Sequence, residues 1–375
     1  MTQTAPTQPL QDEDFARMRE YLGVDLRVEQ FNEEASRDTI RHYAYGIADD
    51  NPLWLDDAYA AISRFGGRVA PPTFVYSIYD AEIVLGTPTN CQPIHVAAEL
   101  EFDRPVRLGD RITAQARLRD VVDRQTAKAG RAAMQFGEIE YFNQHGERVA
   151  RVIQELAILV RGSGLSYDSR PIHQYTDDEL ERIRLDVLAE ERRGSQPRYV
   201  EDVAVGDTLT PVVKGPLDRI MMTCYYAGAI GCAAVYKGME IRARFQEQVR
   251  NDPDSAPNTL DRWMMLDKTH PALGHQDDAS AQRIGMPAPY DNGNQRTAWG
   301  AHLVTNWMGD DADLLRLRVE IRRPNVFGDT LWLRGTVTAK RDDEVDIEIT
   351  GTNQLGEEST RGTATVRLPS RATRA

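Results

Sequence analysis

The sequence predicts an α+β chain built from two tandem copies of one unit, each a buried helix followed by a long-stranded antiparallel sheet. Three internal matches, in the same order in both halves, carry this reading. Glu101-Phe102-Asp103-Arg104-Pro105 with Gly109-Asp110 returns as Glu320-Ile321-Arg322-Arg323-Pro324 with Gly328-Asp329. Asn143-Gln144-His145-Gly146-Glu147 returns as Asn353-Gln354-Leu355-Gly356-Glu357. Tyr43-Ala44 through Ile47 and Asp49 return as Tyr226-Ala227 through Ile230 and Cys232. Ordered self-similarity marks a duplication, and 375 residues exceed what one small domain uses. The expected boundaries are 1–170 for the first copy, 171–195 for a helical linker, and 196–375 for the second copy with an insertion at 233–269.

Taken in order, residues 1 to about 40 read as a polar start followed by helix and strand pieces. The run Tyr43 to Ala60, YAYGIADDNPLWLDDAYA, begins helical and breaks at Asp49-Asp50-Asn51-Pro52. Proline cannot continue a helix interior and biases its predecessor away from helix, so Asp49 belongs at the corner where the helix gives way to a turn. Gly66, Gly67, Pro71 and Pro72 punctuate the next loop. Strands then dominate: HVAAELEFDRPVRLGDRITAQARL turns at Arg107–Asp110, and GEIEYFNQHGERVARVIQELAILV turns at Asn143–Gly146. Thr176 with Glu179 three residues on is a capping-box pattern, and Leu180, Ile183, Val187 and Leu188 stripe the linker helix that follows. In the second copy Met221 to Tyr236 is the longest apolar run. It is shorter than the ~20 residues a bilayer span needs and reads as a core helix.

Composition narrows the function. Apolar residues at 41% and charged residues at 27% suit a globular protein, and 45 basic against 58 acidic residues, net −13, argue against a nucleic-acid or anionic-membrane surface. The three cysteines, Cys91, Cys224 and Cys232, have no metal or redox spacing. Scarce cysteine fits a reducing compartment, and the acidic N-terminus is no signal or transit peptide, so a cytoplasmic protein is expected. No glycine-rich phosphate loop or Gly-x-Ser-x-Gly elbow is present.

The turn resembles the signature of the MaoC-like, or R-specific, enoyl-CoA hydratase family of hot-dog folds: Asp, any residue, Asn, Pro, an aliphatic residue, then His. Asp49, Asn51, Pro52 and Leu53 match, and Trp54 stands where the catalytic His belongs. An indole exchanges no proton at neutral pH. In the second copy the family's spacing after its catalytic His, an acidic residue two positions on, Ala at six and Gly at ten, is met by Asp277, Ala281 and Gly285 counted from His275. The family's Asp position, counted along the helix, holds Cys232, and Asp267 is the nearest replacement. Where the family carries a His-Gly pair opening a helix, this chain reads Asn292-Gly293.

The resemblance implies a double hot dog in which sheets wrap helices, and hydration of an enoyl-CoA, or the reverse dehydration, of the kind met in fatty acid metabolism. It implies His275 with Asp267 or Asp49 as acid/base groups, and Asn51, Trp54, Tyr290, Asp291, Gly293 and Arg296 around a bulky or unusual acyl-CoA, CoA being part of the substrate and no metal or redox cofactor being needed. Arg104, Arg322 and Arg323 are candidates for a rim facing the CoA phosphates. Each residue also has a plainer reading: Asp49 as a turn carboxylate, Asp267 as a solvated loop charge, Cys232 as inert packing, and His270 and His302 as structural histidines. Two other functions stay open. A hot-dog thioesterase needs only a carboxylate, and a non-catalytic acyl-CoA-binding subunit would explain the altered signature. The expected assembly is a homodimer or a pairing with another hot-dog chain.

Overall fold

A computed structural model describes residues 8–28, 30–80, 82–88, 90–126, 130–162, 171–230, 239–252 and 271–373. One antiparallel sheet of ten strands organises the described residues: β1 (Asp25–Leu26), β2 (Cys91–Phe102), β3 (Thr113–Thr126), β4 (Gly130–Phe142), β5 (Arg148–Val160), β6 (Thr208–Lys214), β7 (Asp313–Ile321), β8 (Leu331–Arg341), β9 (Glu344–Asn353) and β10 (Glu358–Arg367). Their spatial order is β1-β3-β4-β5-β2-β7-β10-β9-β8-β6. Outward from the β2–β7 seam, the two halves place equivalent strands in the same order. The duplication read from the sequence is therefore a two-fold-like repeat in space. At the seam Leu100 lies opposite Leu317 and Ala97 opposite Glu320.

The recurring landmarks are the turns that set strand register. Asn143 and Asn353 each close the same loop, the side-chain Oδ1 accepting from the backbone two and four residues on. Such a side-chain-to-backbone turn returns the chain at fixed length, joining β4 to β5 and β9 to β10.

Four helices matter to the site: α1 (Asp12–Arg19), α2 (Arg37–Gly46), α3 (Asp177–Leu188) and α4 (Gly293–Met308). Ser36 caps α2, and α3 carries the capping box of Thr176 and Glu179. Where described, the apolar run Met221–Tyr236 is helical and adds Met222, Tyr225, Tyr226 and Ala229 to the core, but it is not the helix laid on the sheet. The described part of Met221–Tyr236 holds a short helix, Arg219–Thr223, and a π-helical stretch, Cys224–Ile230. That stretch lies against α2 so closely that a Cβ on Gly46 would come within 2.6 Å of Ala229 Cβ. The helix laid on the sheet is α4, buried from Asn294 to Met308. It approaches β7 closely, since a Cβ on Gly300 would stand 3.1 Å from Val319 Cγ2. In the first copy the corresponding place before β2 holds only a short 3-10 turn, Pro72–Ser77.

The sheet's outer strands are short. β1 has two residues, and β6 has seven, with Pro211 inside it where the register with β8 shifts. Among the described residues no helix is long and apolar enough to cross a membrane, and no group of three or more His, Cys, Asp or Glu could hold a metal ion.

Candidate active site

The first turn of α4 gathers one set of polar groups. Asn292 is its N-cap, the side-chain oxygen accepting from Asn294 N at 2.8 Å and from the Tyr225 hydroxyl at 3.3 Å. The Asn292 amide donates to the Tyr226 hydroxyl at 3.2 Å. Gly293 follows, and glycine is required there: a Cβ would fall 2.2 Å from Nδ1 of His95 on β2. The absent side chain lets the His95 imidazole stand against the helix start, where first-turn N–H groups lack intrahelical partners.

His275 sits beside this start, its ring 5.7 Å from Tyr226 and 4.2 Å from Tyr290 between centroids. Its Nδ1 lies 2.8 Å from Tyr290 O. A carbonyl only accepts, so Nδ1 carries the proton and Nε2 is the lone-pair nitrogen. Burial pushes the imidazole down to about 4, against the opposing pull of the Tyr290 carbonyl, so the ring is neutral at physiological pH. A fixed tautomer with a basic nitrogen can take a proton. Asp277, two residues on, caps the helix Asp278–Arg283 by accepting from Ser280 N at 2.8 Å. Asp267, Cys232 and His270 lie outside the described residues.

Asp291 and Arg296 are buried together as an ion pair, each side chain 1% exposed. Arg296 Nε donates to Asp291 Oδ2 at 2.7 Å and Nη2 to Oδ1, while Nη1 reaches Arg323 O and Ser359 O. Asn325 adds a backbone and a side-chain N–H to the same carboxylate. The pair ties the approach to α4 onto β7 and β10. Arg104 and Arg323 form ion pairs with Glu147 and Glu357, and Arg322 with Glu320, so the three arginines weighed for a phosphate rim face strand carboxylates.

A second polar cluster joins the two copies. Asp49 is 2% exposed and accepts from Asn51 N at 3.1 Å and from Trp54 Nε1 at 3.0 Å. The indole thus occupies the family's histidine position as a donor to the carboxylate. A histidine does approach Asp49, but from the other copy: His302 on α4 places Nε2 3.6 Å from Asp49 Oδ1. Lys214 at the end of β6 donates to Ala48 O at 2.6 Å and reaches His302 Nδ1 at 2.8 Å. An ammonium only donates, so His302 Nδ1 accepts and Nε2–H faces the carboxylate side. Burial raises Asp49, with Lys214 pulling the other way, and burial lowers Lys214 to about 8. His302 and Lys214 have no motif spacing to Asp49, so reading the sequence misses them. The only local signal is that His302 and Asn306 share a helix face four residues apart. Asn51 and Trp54 also line a cleft of ≈190 Å³ with Val75, Phe102, Arg104 and Met308.

The family description "FAS1-like, dehydratase domain region" matches residues 21–152, within the first copy. A UPF0336 protein of Thermobifida fusca is 30% identical over 109 residues, 28% of this chain and 71% of that protein. The chain belongs to the UPF0336 family, on a MaoC-like double hot-dog fold. A second UPF0336 protein, from Streptomyces avermitilis, is 29% identical over 133 residues, 33% of this chain and 83% of its own length. Among solved structures, a MaoC-like dehydratase superposes with a TM-score of 0.66 at 19% identity, over 94% of this chain and 100% of the other. A conserved hypothetical protein of Mycobacterium tuberculosis described as a double hotdog fold gives 0.52 at 12% identity, over 92% and 96%. The double hot dog expected from the sequence is the fold of this UPF0336 chain.

Proposed function

We propose that this chain is a hydro-lyase acting on an enoyl thioester of coenzyme A, adding water across the C2–C3 double bond or removing it, with His275 handling the proton. The single observation behind this reading is the His275 tautomer, pinned by Tyr290 O so that Nε2 is a buried base beside the start of α4. Water loses a proton to Nε2 as its oxygen bonds to C3, and C2 gains a proton. First-turn amides near Gly293 stabilise the enolate oxygen. Asp267 is proposed as the carboxylate that shares the proton work. The substrate is proposed to be bulky or unusual, because the sequence carries an insertion at 233–269 and an altered signature.

The test is loss of the conjugated thioester's absorbance with crotonyl-CoA and longer enoyl-CoA substrates. His275→Ala should lower turnover by roughly 10²–10⁴-fold. Turnover equal to wild type refutes the assignment. A second reading rests on the Asp49–His302 approach across the copies: a thioesterase whose carboxylate is Asp49. Release of free thiol, abolished in Asp49→Asn, would select it. Acyl-CoA binding with neither signal would point to a non-catalytic subunit.

A further inference from the structure

We propose that the loop between α3 and β6 forms a binding site for a phosphate-type oxyanion, separate from the His275 site. The pocket has a volume of ≈270 Å³ and is lined by Arg192, Arg193, Arg198, Thr210, Asn306 and Trp307, together with Glu191 and Gln196. Asn306 lies near the far end of α4 from Asn292, roughly 20 Å away at 1.5 Å rise per residue. The inference therefore stands apart from the proposed hydration chemistry.

The positive charge here is only partly neutralised from within. Arg192 pairs with Asp50, and the Glu191 carboxylate accepts from the Thr210 hydroxyl at 3.1 Å. Among the described residues no carboxylate pairs with Arg193 or Arg198. Both are held in place by neutral groups instead. Arg193 donates to Gln196 O at 3.1 Å and Pro197 O at 3.0 Å. Arg198 Nε donates to Trp307 O at 2.7 Å, and its guanidinium carbon lies 4.5 Å from the Trp307 ring centroid. Burial lowers the Arg198 pKa, and the like charge of Arg193 lowers it further. The like charges of these two guanidinium groups act on each other, with Glu191, Asp202 and Asp207 opposing them without forming an ion pair to Arg198.

Guanidinium forks match the oxygens of phosphate bidentately, and holding them in advance reduces the ordering cost of binding. One further donor in the pocket wall has unmet hydrogen-bond capacity: Arg192 Nε is buried without a partner. Asn306 is only 4% exposed, and its amide contacts His302 Nε2 at 3.1 Å. An anion taken up here sits one side chain away from the Asp49–His302–Lys214 cluster.

The experiment is calorimetric titration of the full-length protein with inorganic pyrophosphate at low salt. Saturable one-to-one binding is expected, weakened tenfold or more in Arg193→Ala/Arg198→Ala. Arg198→Lys, which keeps the charge but loses the fork, should fall between. His275→Ala should bind pyrophosphate like wild type, so loss of hydratase activity and loss of this site are distinguishable. Competition by free coenzyme A would assign the anion to a coenzyme A-type carrier, and lack of competition to a free phosphate-type anion. The proposal is overturned if pyrophosphate shows no saturable binding. It is equally overturned if the double variant binds as wild type does. Should the double variant unfold, Arg193→Gln provides the same comparison.

Discussion

Removing the carboxylate of Asp291 tests whether the buried ion pair at the start of α4 holds the fold. Both oxygens are engaged: Oδ2 accepts from Arg296 Nε at 2.7 Å and Asn325 Nδ2 at 3.1 Å, and Oδ1 from Arg296 and from Asn325 N at 3.2 Å. With both side chains 1% exposed, Asp291→Ala leaves a guanidinium buried with only the Arg323 and Ser359 carbonyls for partners. Breaking a buried pair by deleting one member costs about 3–5 kcal/mol. The two Asn325 donors lose their acceptor as well, so the upper part of that range is expected. Urea unfolding followed by tryptophan fluorescence reads the change, and a slope of about 3 kcal/mol/M puts the midpoint roughly 1.3–1.7 M lower. Replacing both partners, Asp291→Leu with Arg296→Met, should recover much of the loss, because desolvation of the charges disappears with them. A midpoint for Asp291→Ala within about 0.3 M of wild type would refute the reasoning.

Other outcomes follow from the same geometry. Burial holds His275 at about 4, below the ~6.5 of a free imidazole, so on acidification the unfolded chain takes up this proton first. Stability is unaffected by this group above pH ~6.5 and falls by on the order of 3 kcal/mol as pH drops toward 4. His275→Gln should flatten the stability–pH profile in that window, and an unchanged slope would contradict the assignment. Trp54→Phe removes the Nε1 donor to Asp49 and should cost about 1–3 kcal/mol by leaving a buried acceptor short of a partner; a melting curve that does not move counts against it. Gly46→Ala puts a methyl 2.6 Å from Ala229 Cβ and should destabilise by about 1–3 kcal/mol through overpacking between α2 and the π-helical stretch. Equal or higher thermal stability would show that the two segments can part at no cost.

Much of the architecture was legible because it is local or repeated. The turn asparagines, the Thr176–Glu179 box and the break before Pro52 act within a few residues, and the duplication repeats them in order. What could not be read is set by long-range packing. The apolar stretch Met221–Tyr236 looks like the core helix, whereas α4 carries Asn294, Gln295, Arg296, His302, Thr305 and Asn306 and still lies buried. Polar side chains on every face usually mean solvent; here Arg296 is neutralised by Asp291, and Asn294 donates to Asp80 O at 2.6 Å. The candidate site divides in the same way. His275 follows from its spacing to Asp277, Ala281 and Gly285, but the meeting of Asp49 with His302 and Lys214 arises only when the two copies fold onto one sheet. No pattern in either copy alone encodes it.

The two ends of the ten-stranded sheet bear on how copies of this molecule can associate. A two-residue outer strand offers few free backbone groups, and at the opposite end Pro211 supplies no N–H, with a register jump bending the ladder beside it. A neighbouring strand therefore has little to template on along β1 or β6 themselves, and the longer β3 is left as the sheet's substantial edge beyond its two residues paired with β1.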